Sequence, residues 1–279
     1  MRIRATVAAV LGALVLPAVG VPAAVAADPA VPYTLDASFS GIKVNNGKAI
    51  VVGVTGKVTV PLSYTLTHAA DVDIAAEDFL TDIELYRGAT YATSAYGLYG
   101  VDYAHCKAVS TTRADCTQSI VITPAQDLLN EDAGKWSAYV YAHALNGQDM
   151  GDDDYDVTKV GSLEKEGIAA PSLLRHSKLS VNAAPEPVVK GKVITVTGKL
   201  TRANWGATNY TGYATQPVQL QFRKNGTSAY TVVRTIKTTA QGDLKTTVTA
   251  TADGFFRYVF AGTATTAALG SAPDFIDVK

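Results

Sequence analysis

The stretch GFFRYVFAG, residues 254–262, sets Phe256, Tyr258 and Phe260 at every second position between two glycines. A period of two puts the three rings on one face of an extended strand. The same alternation recurs nearby. QPVQLQFRK (216–224) aligns Val218, Leu220 and Phe222, and DLKTTVTA (243–250) aligns Leu244, Thr246 and Val248. Turn-forming clusters separate these runs: KNGTSA, TAQGD and TADG. About seven short strands spaced in this way predict an immunoglobulin-like β-sandwich.

The first half of the chain repeats the pattern. IKVNN…GKVTVPLSYTLT (42–67) resembles LSVNA…GKVITVTGKLT (179–201), and GKWSAYVYA (134–142) resembles GFFRYVFAG, in the same order. The fold class expected is therefore all-β, with two tandem immunoglobulin-like β-sandwich domains at residues 27–170 and 171–279. The join is placed in KEGIAAPSLLRHSK (165–178), whose Gly and Pro read as a connection. AAEDFLTDIEL (75–85) has an acidic start and near-helical apolar spacing, which predicts a helix. TPAQDLLNEDAG (123–134) reads as a short turn with Pro in its first helical position. Residues 136–145 and 156–166 read as the last two strands of the first domain.

The chain opens with Arg2 and Arg4, an apolar run to about Val21, and Ala24-Val25-Ala26. This is the pattern of a secretory signal, residues 1–26, and it predicts a secreted, extracellular protein. The apolar run is too short for a membrane anchor, and no later segment suits a membrane span. Cys106 and Cys116 are the only two cysteines. In an oxidising compartment they predict a disulfide across a hairpin. Net charge is −1, but it is unevenly spread. Residues 27–170 hold 9 Lys and Arg against 20 Asp and Glu, about −11; residues 171–279 hold 13 against 5, about +8. The split predicts salt-sensitive contact between the halves.

NGQDMGDDDYD (146–156) carries Asp149, Asp152, Asp153, Asp154 and Asp156. Clustered carboxylates on a flexible loop suit calcium, a hard cation that takes six to eight oxygens. The positions do not follow an EF-hand, so any such site is a loose, weak one; the other reading is a solvated acidic loop. A second acidic run, DVDIAAEDFLTD (71–82), stands apart in sequence. YRGATYATSAYGLYGVDYAHC (86–106) carries Tyr91, Tyr96, Tyr99 and Tyr103 among glycines. Tyrosine gives contact area at low entropic cost, so this loop reads either as a ligand-binding surface or as packing over the sandwich end. NWGATNYTGY (204–213) presents Trp205, Tyr210 and Tyr213 in the same two senses.

Catalytic signatures do not stand out. His68, His105, His143 and His176 form no HExxH or HxH pair, and neither a G-x-S-x-G elbow nor a phosphate-binding glycine loop occurs. No dense basic run appears, so nucleic acid is not an expected partner. The reading is a secreted, non-enzymatic binding or structural protein that meets an extracellular protein or cell-wall polymer. The competing classes are a hydrolase of extracellular polymer and a protein inhibitor.

Residues 177–279 resemble a C-terminal domain of secreted actinobacterial proteins. KLSVNAAPEPVVKGKVITVTGKLTRANW, GYATQPVQLQFRKNGTSAYTVVRTIKTT, GDLKTTVTATADGFFRYVFAGT and DFIDVK carry the likeness. Such proteins are often labelled calcium-binding or uncharacterised, so the resemblance implies calcium. It brings no ligand motif, and the matching segment has only five acids. The Asp149–Asp156 loop is therefore the better candidate.

Overall fold

The computed structural model describes residues 33–279; the expected signal segment lies outside them. The first nine strands are β1 (Ala37–Val44), β2 (Ile50–Val52), β3 (Val58–His68), β4 (Phe79–Tyr86), β5 (Gly97–Leu98), β6 (His105–Ser110), β7 (Arg113–Ile122), β8 (Gly134–Ala144) and β9 (Gly161–Arg175). They form two sheets, β1-β3-β7-β6 and β2-β9-β8-β4-β5. Alternate residues meet between the sheets: Val60, Leu62, Tyr64 and Leu66 from β3, Ile120 and Ile122 from β7, Ile83 and Leu85 from β4, and Ala138, Val140 and Ala142 from β8. All are essentially buried, as a two-sheet core requires.

The remaining strands are β10 (Ser177–Ala184), β11 (Val193–Asn204), β12 (Asn209–Gly212), β13 (Pro217–Lys224), β14 (Thr231–Lys237), β15 (Asp243–Thr249), β16 (Gly254–Phe260), β17 (Leu269–Gly270) and β18 (Asp274–Ile276). In one sheet β11 pairs with β10, β12 and β15; the other runs β14-β13-β16-β17, with β18 also on β16. Phe256, Tyr258 and Phe260 fill the second core with Val218, Leu220, Ile194, Val196 and Leu244. The Tyr258 hydroxyl donates to the Val196 carbonyl at 3.0 Å, so its polar end is satisfied inside. The chain is thus a tandem immunoglobulin-like β-sandwich.

The internal repeat has a structural counterpart. β1 pairs with β3 as β10 pairs with β11, antiparallel in both cases. After each first strand the chain crosses to the other sheet. β2 lies parallel to β9, and Val188 makes a parallel bridge with Val278. β8 and β16, the two similar segments, occupy interior positions in their sheets.

Three local expectations differ from the structure. Residues 75–85 are not a helix: turns lead into strand β4. Ile83 and Leu85 point into the core, and Asp82 and Glu84 alternate with them, so the true period is two. The strand read at 156–166 begins only at Gly161. Asp156 instead caps a 3-10 turn over Val157–Lys159 by accepting the Thr158 amide. The boundary at 170/171 falls inside β9, which runs on to Arg175; only His176, within the 165–178 stretch read as the connection, separates it from β10. The Gly and Pro that read as linker punctuation are irregularities in a long strand. The β8–β9 register shifts between Ala138 and Val140, beside Gly167, whose φ is +73°. A bulge needs this left-handed conformation, which suits glycine. The register shifts again between Gly134 and Trp136, beside Pro171, so the missing N–H falls where the ladder is already broken.

The two sandwiches meet around the buried Trp205. The end of β11 and the residue after it carry Ala203 and Trp205 beyond their own sandwich into the first core, where Trp205 is 1% exposed. The indole N–H donates to the Gly53 carbonyl at 2.9 Å, and the Trp205 amide donates to Asn130 Oδ1 at 3.0 Å. Asn130 Nδ2 donates to Asn204 Oδ1 at 2.7 Å, and the His176 amide donates to the Val52 carbonyl at 2.9 Å. Among the described residues, the ion pairs each join two residues of the same sandwich. The contact is apolar and hydrogen-bonded, so the salt-sensitive contact expected from the charge split is not what joins the halves.

Candidate functional site

The acidic loop joins β8 to β9. Its ends are clipped by Asn146 Nδ2 donating to the Lys159 carbonyl at 2.8 Å. The Gly147 amide donates to Asp78 Oδ2 at 2.7 Å, which brings the second acidic run against the first. Asp149 accepts the Gly151 amide, and Asp156 accepts both the amide and the hydroxyl of Thr158. Those Thr158 hydrogen bonds, helped by Lys159, hold the Asp156 carboxyl below the usual range. Asp152, Asp153 and Asp154 are exposed. Among the described residues no three His, Cys, Asp or Glu side chains are gathered so as to hold a metal ion.

Cys106 and Cys116 stand directly opposite on β6 and β7 and form the disulfide. It closes the hairpin at the sheet edge.

The structure divides the four tyrosines of the loop. Tyr96 packs edge-on against Trp136 at the rim of the first core. Tyr91 lies flat on Tyr139, with centroids 4.0 Å apart and planes at 11°. Its hydroxyl donates to Glu84 Oε2 at 2.5 Å, and its amide donates to Glu166 Oε2 at 2.8 Å. Tyr91 therefore pins the loop to the sheet. Tyr99 and Tyr103 are 52% and 53% exposed.

What Tyr91 pins the loop onto was not singled out from sequence. Trp136, Ala138, Val140 and Ala142 of β8 face the core, so Tyr139, Tyr141 and His143 line the outer face. Their rings run on from one another, 5.6 Å between Tyr139 and Tyr141 and 5.0 Å between Tyr141 and His143. Carboxylates flank the row: Asp82 and Glu84 of β4 stand opposite Tyr141 and Tyr139, and Glu164 of β9 stands opposite Tyr141. The signal was present in SAYVYAHA as a second alternation, of Tyr139, Tyr141 and His143, offset by one from the core residues.

Burial under this layer sets its electrostatics. Asp82 is 5% exposed, and desolvation raises its carboxyl to about 7; the Ile83 amide opposes the rise and Glu84 adds to it. Burial likewise raises Glu84, against the Tyr91 hydrogen bond. Burial raises the phenols of Tyr91, Tyr139 and Tyr141, so they stay protonated as donors at neutral pH. Burial lowers the His143 imidazole, with Glu164 opposing, so it is mainly neutral. His143 Nδ1 lies 3.0 Å from Ser162 Oγ, the residue directly opposite it in the ladder.

No family model matches the chain, nor does any curated protein. The resemblance seen in residues 177–279 is therefore carried by its quoted residues alone. Solved structures give only distant likenesses. A crystal structure of titin domains is 9% identical with a TM-score of 0.26; the match covers 87% of this chain and 66% of that one, just under two thirds. The D0–D1 domain of intimin is 15% identical, TM-score 0.25, covering 85% and 98%. Three N-terminal domains of the bacteriophage RB49 highly immunogenic outer capsid protein are 11% identical, TM-score 0.29, covering 87% and 70%. At these TM-scores the likenesses carry no functional argument.

Proposed function

We propose that this is an exported, non-enzymatic binding protein whose first sandwich engages an extracellular protein or wall polymer through the outer face of β8 and β4. One observation carries the reading: beyond Tyr139, which Tyr91 covers down to 8% exposure, the half-buried Tyr141 and His143 continue a row of rings on the side of the sheet away from the core, with carboxylates beside it. Tyr99 and Tyr103 of the covering loop add more than half-exposed rings. Rings with few rotatable bonds, fixed on strands, are pre-organised for contact. Export is supported by the sequence of residues 1–26 and by the disulfide. Among the described residues no helix is long and apolar enough to cross a membrane. The absence of chemistry is supported by the burial of Asp82 and Glu84, which leaves the most perturbed acids under rings rather than in an open cleft.

The test is binding of the full exported chain to arrays of wall polysaccharides and extracellular proteins, with Tyr141→Ala and Tyr103→Ala beside the wild type. Tyr141→Ala is expected to abolish retention, and Tyr103→Ala, at a more exposed ring, to weaken it while leaving the melting temperature near that of wild type. Retention unchanged in both variants would remove this face from the function. Weak calcium at Asp149 to Asp156 is a subsidiary proposal, supported by the acidity of the loop.

A further inference from the structure

The second sandwich also has an outer face of unusual composition, on the sheet β14-β13-β16-β17. In β16 the core takes Phe256, Tyr258 and Phe260, so Phe255, Arg257 and Val259 face outward. The register sets Arg223 opposite Phe255, Gln221 opposite Arg257 and Gln219 opposite Val259, while Phe255 also pairs with Phe275 of β18. The guanidinium of Arg257 lies 3.7 Å from the centroid of the Tyr230 ring, and that of Arg223 lies 4.2 Å from the Phe255 ring. Phe255 and Phe275 are 5.1 Å apart, and Phe275 is 37% exposed. The Arg257 side chain is further fixed by donating Nε–H to Gln221 at 2.9 Å.

These two arginines lack ionic partners. Among the described residues neither has a carboxylate within salt-bridge distance. Four of the five acids of this sandwich are engaged elsewhere: Asp243 pairs with Lys199 and Asp277 with Lys279, and Asp253 and Asp274 accept the amides of Val278 and Ala183. With 13 basic residues against 5 acids, residues 171–279 carry a net positive charge of about +8. Stacking on rings holds a planar guanidinium in place; Arg223 Nη1 also donates to the Thr227 carbonyl at 2.7 Å, and the remaining edge N–H groups of both arginines are left for a carboxylate or phosphate. Phe275 offers a partly exposed apolar ring of the sort that packs on a sugar, with Phe255 beneath it and under the Arg223 guanidinium.

We propose that this face binds an anionic glycan, with Arg223 and Arg257 meeting its carboxylate or phosphate groups and Phe275, backed by Phe255, its sugar face. The choice of a glycan among polyanions rests on the exported reading above; the face itself is independent of the tyrosine row in the first sandwich. The test is affinity electrophoresis of the full exported chain in gels holding polygalacturonate, neutral dextran or a single-stranded oligonucleotide. Polygalacturonate is expected to retard the wild type and dextran not to. Arg223→Gln/Arg257→Gln is expected to weaken binding about tenfold or more, since charge-assisted bonds are lost. The charge-matched pair Lys192→Gln/Lys245→Gln, at exposed sites away from this face, should weaken it no more than about twofold, the effect of net charge alone. If the Gln pair lowers the melting temperature, Arg223→Lys/Arg257→Lys replaces it and is expected to weaken binding about threefold, because an ammonium lacks the planar fork. Tyr141→Ala should leave this binding unchanged, which separates a failure here from a failure of the first face. No retardation, equal losses in the two Gln pairs, or equally tight binding of the oligonucleotide would overturn the proposal.

Discussion

Trp205→Ala is the perturbation that bears most on how the two sandwiches are joined. Trp205 is 1% exposed, belongs to the second sandwich and sits in the core of the first. Truncating a buried Trp costs about 3–5 kcal/mol through lost transfer energy and the cavity left behind. The Gly53 carbonyl also loses its indole donor, whereas the Val52 carbonyl keeps the His176 amide. At about 2–4 °C per kcal/mol for a domain of this size, the melting temperature should fall by roughly 6–20 °C. Trp205→Phe keeps most of the ring area and removes the N–H, so its loss should be nearer 1–3 kcal/mol, the cost of one unsatisfied buried acceptor. Differential scanning calorimetry supplies the stability change. Small-angle scattering supplies the second readout: the Ala variant should sample a wider range of overall dimensions than the wild type. A Trp205→Ala chain that melts within about 2 °C of wild type, with an unchanged scattering profile, would refute the anchoring role.

Other outcomes follow from the same geometry. Because the ion pairs stay within sandwiches, scattering profiles in about 50 mM and 1 M sodium chloride should superimpose, although the Debye length shrinks to about 3 Å at the higher salt; domain reorientation at high salt would contradict this. Asp82 titrates at about 7 when folded against 3.8 normally. The folded state therefore binds the extra proton between those values, so this group's contribution to stability is greatest below about pH 4, falls as pH rises toward 7, and is flat above. Asp82→Asn should thus gain on the order of 4 kcal/mol over wild type at pH 8, and progressively less as pH falls to 4, in melts taken across that range. A gain that does not vary with pH would show that Asp82 is not desolvated. A calcium site of about 1 mM affinity on the acidic loop would add about 1.4 kcal/mol at 10 mM calcium relative to EDTA, lost when Asp152, Asp153 and Asp154 become Asn; no rise would remove that site.

Much of the architecture was legible because burial on one side of a strand writes itself as alternation. GFFRYVFAG, QPVQLQFRK and GKWSAYVYA each displayed their core residues in this way, and the cysteine spacing gave the hairpin disulfide. Gly167 and Pro171 misled because a bulge within a long strand uses the same residues as a linker. Asp82 and Glu84 misled because acids on a covered outer face look like the polar side of a helix. The aromatic row on β8 and the arginine face on β16 were written in the second phase of the same alternations. Their meaning depended on cross-strand neighbours, Glu84 beside Tyr139 and Arg223 beside Phe255, which register alone supplies. Trp205 was unreadable for a related reason: its partners, Val52 and Gly53, lie about 150 residues earlier.

Binding without chemistry is tested most directly by following the fate of a retained partner. The protein is incubated at pH 5 to 8 with each polymer or protein it retains, and the partner is recovered and weighed by mass spectrometry. A binding protein returns every partner at its original mass, with retention lost in Tyr141→Ala. Reproducible cleavage products, abolished by Asp82→Asn or Ser162→Ala in a chain that still folds, would contradict it and make this face an active site.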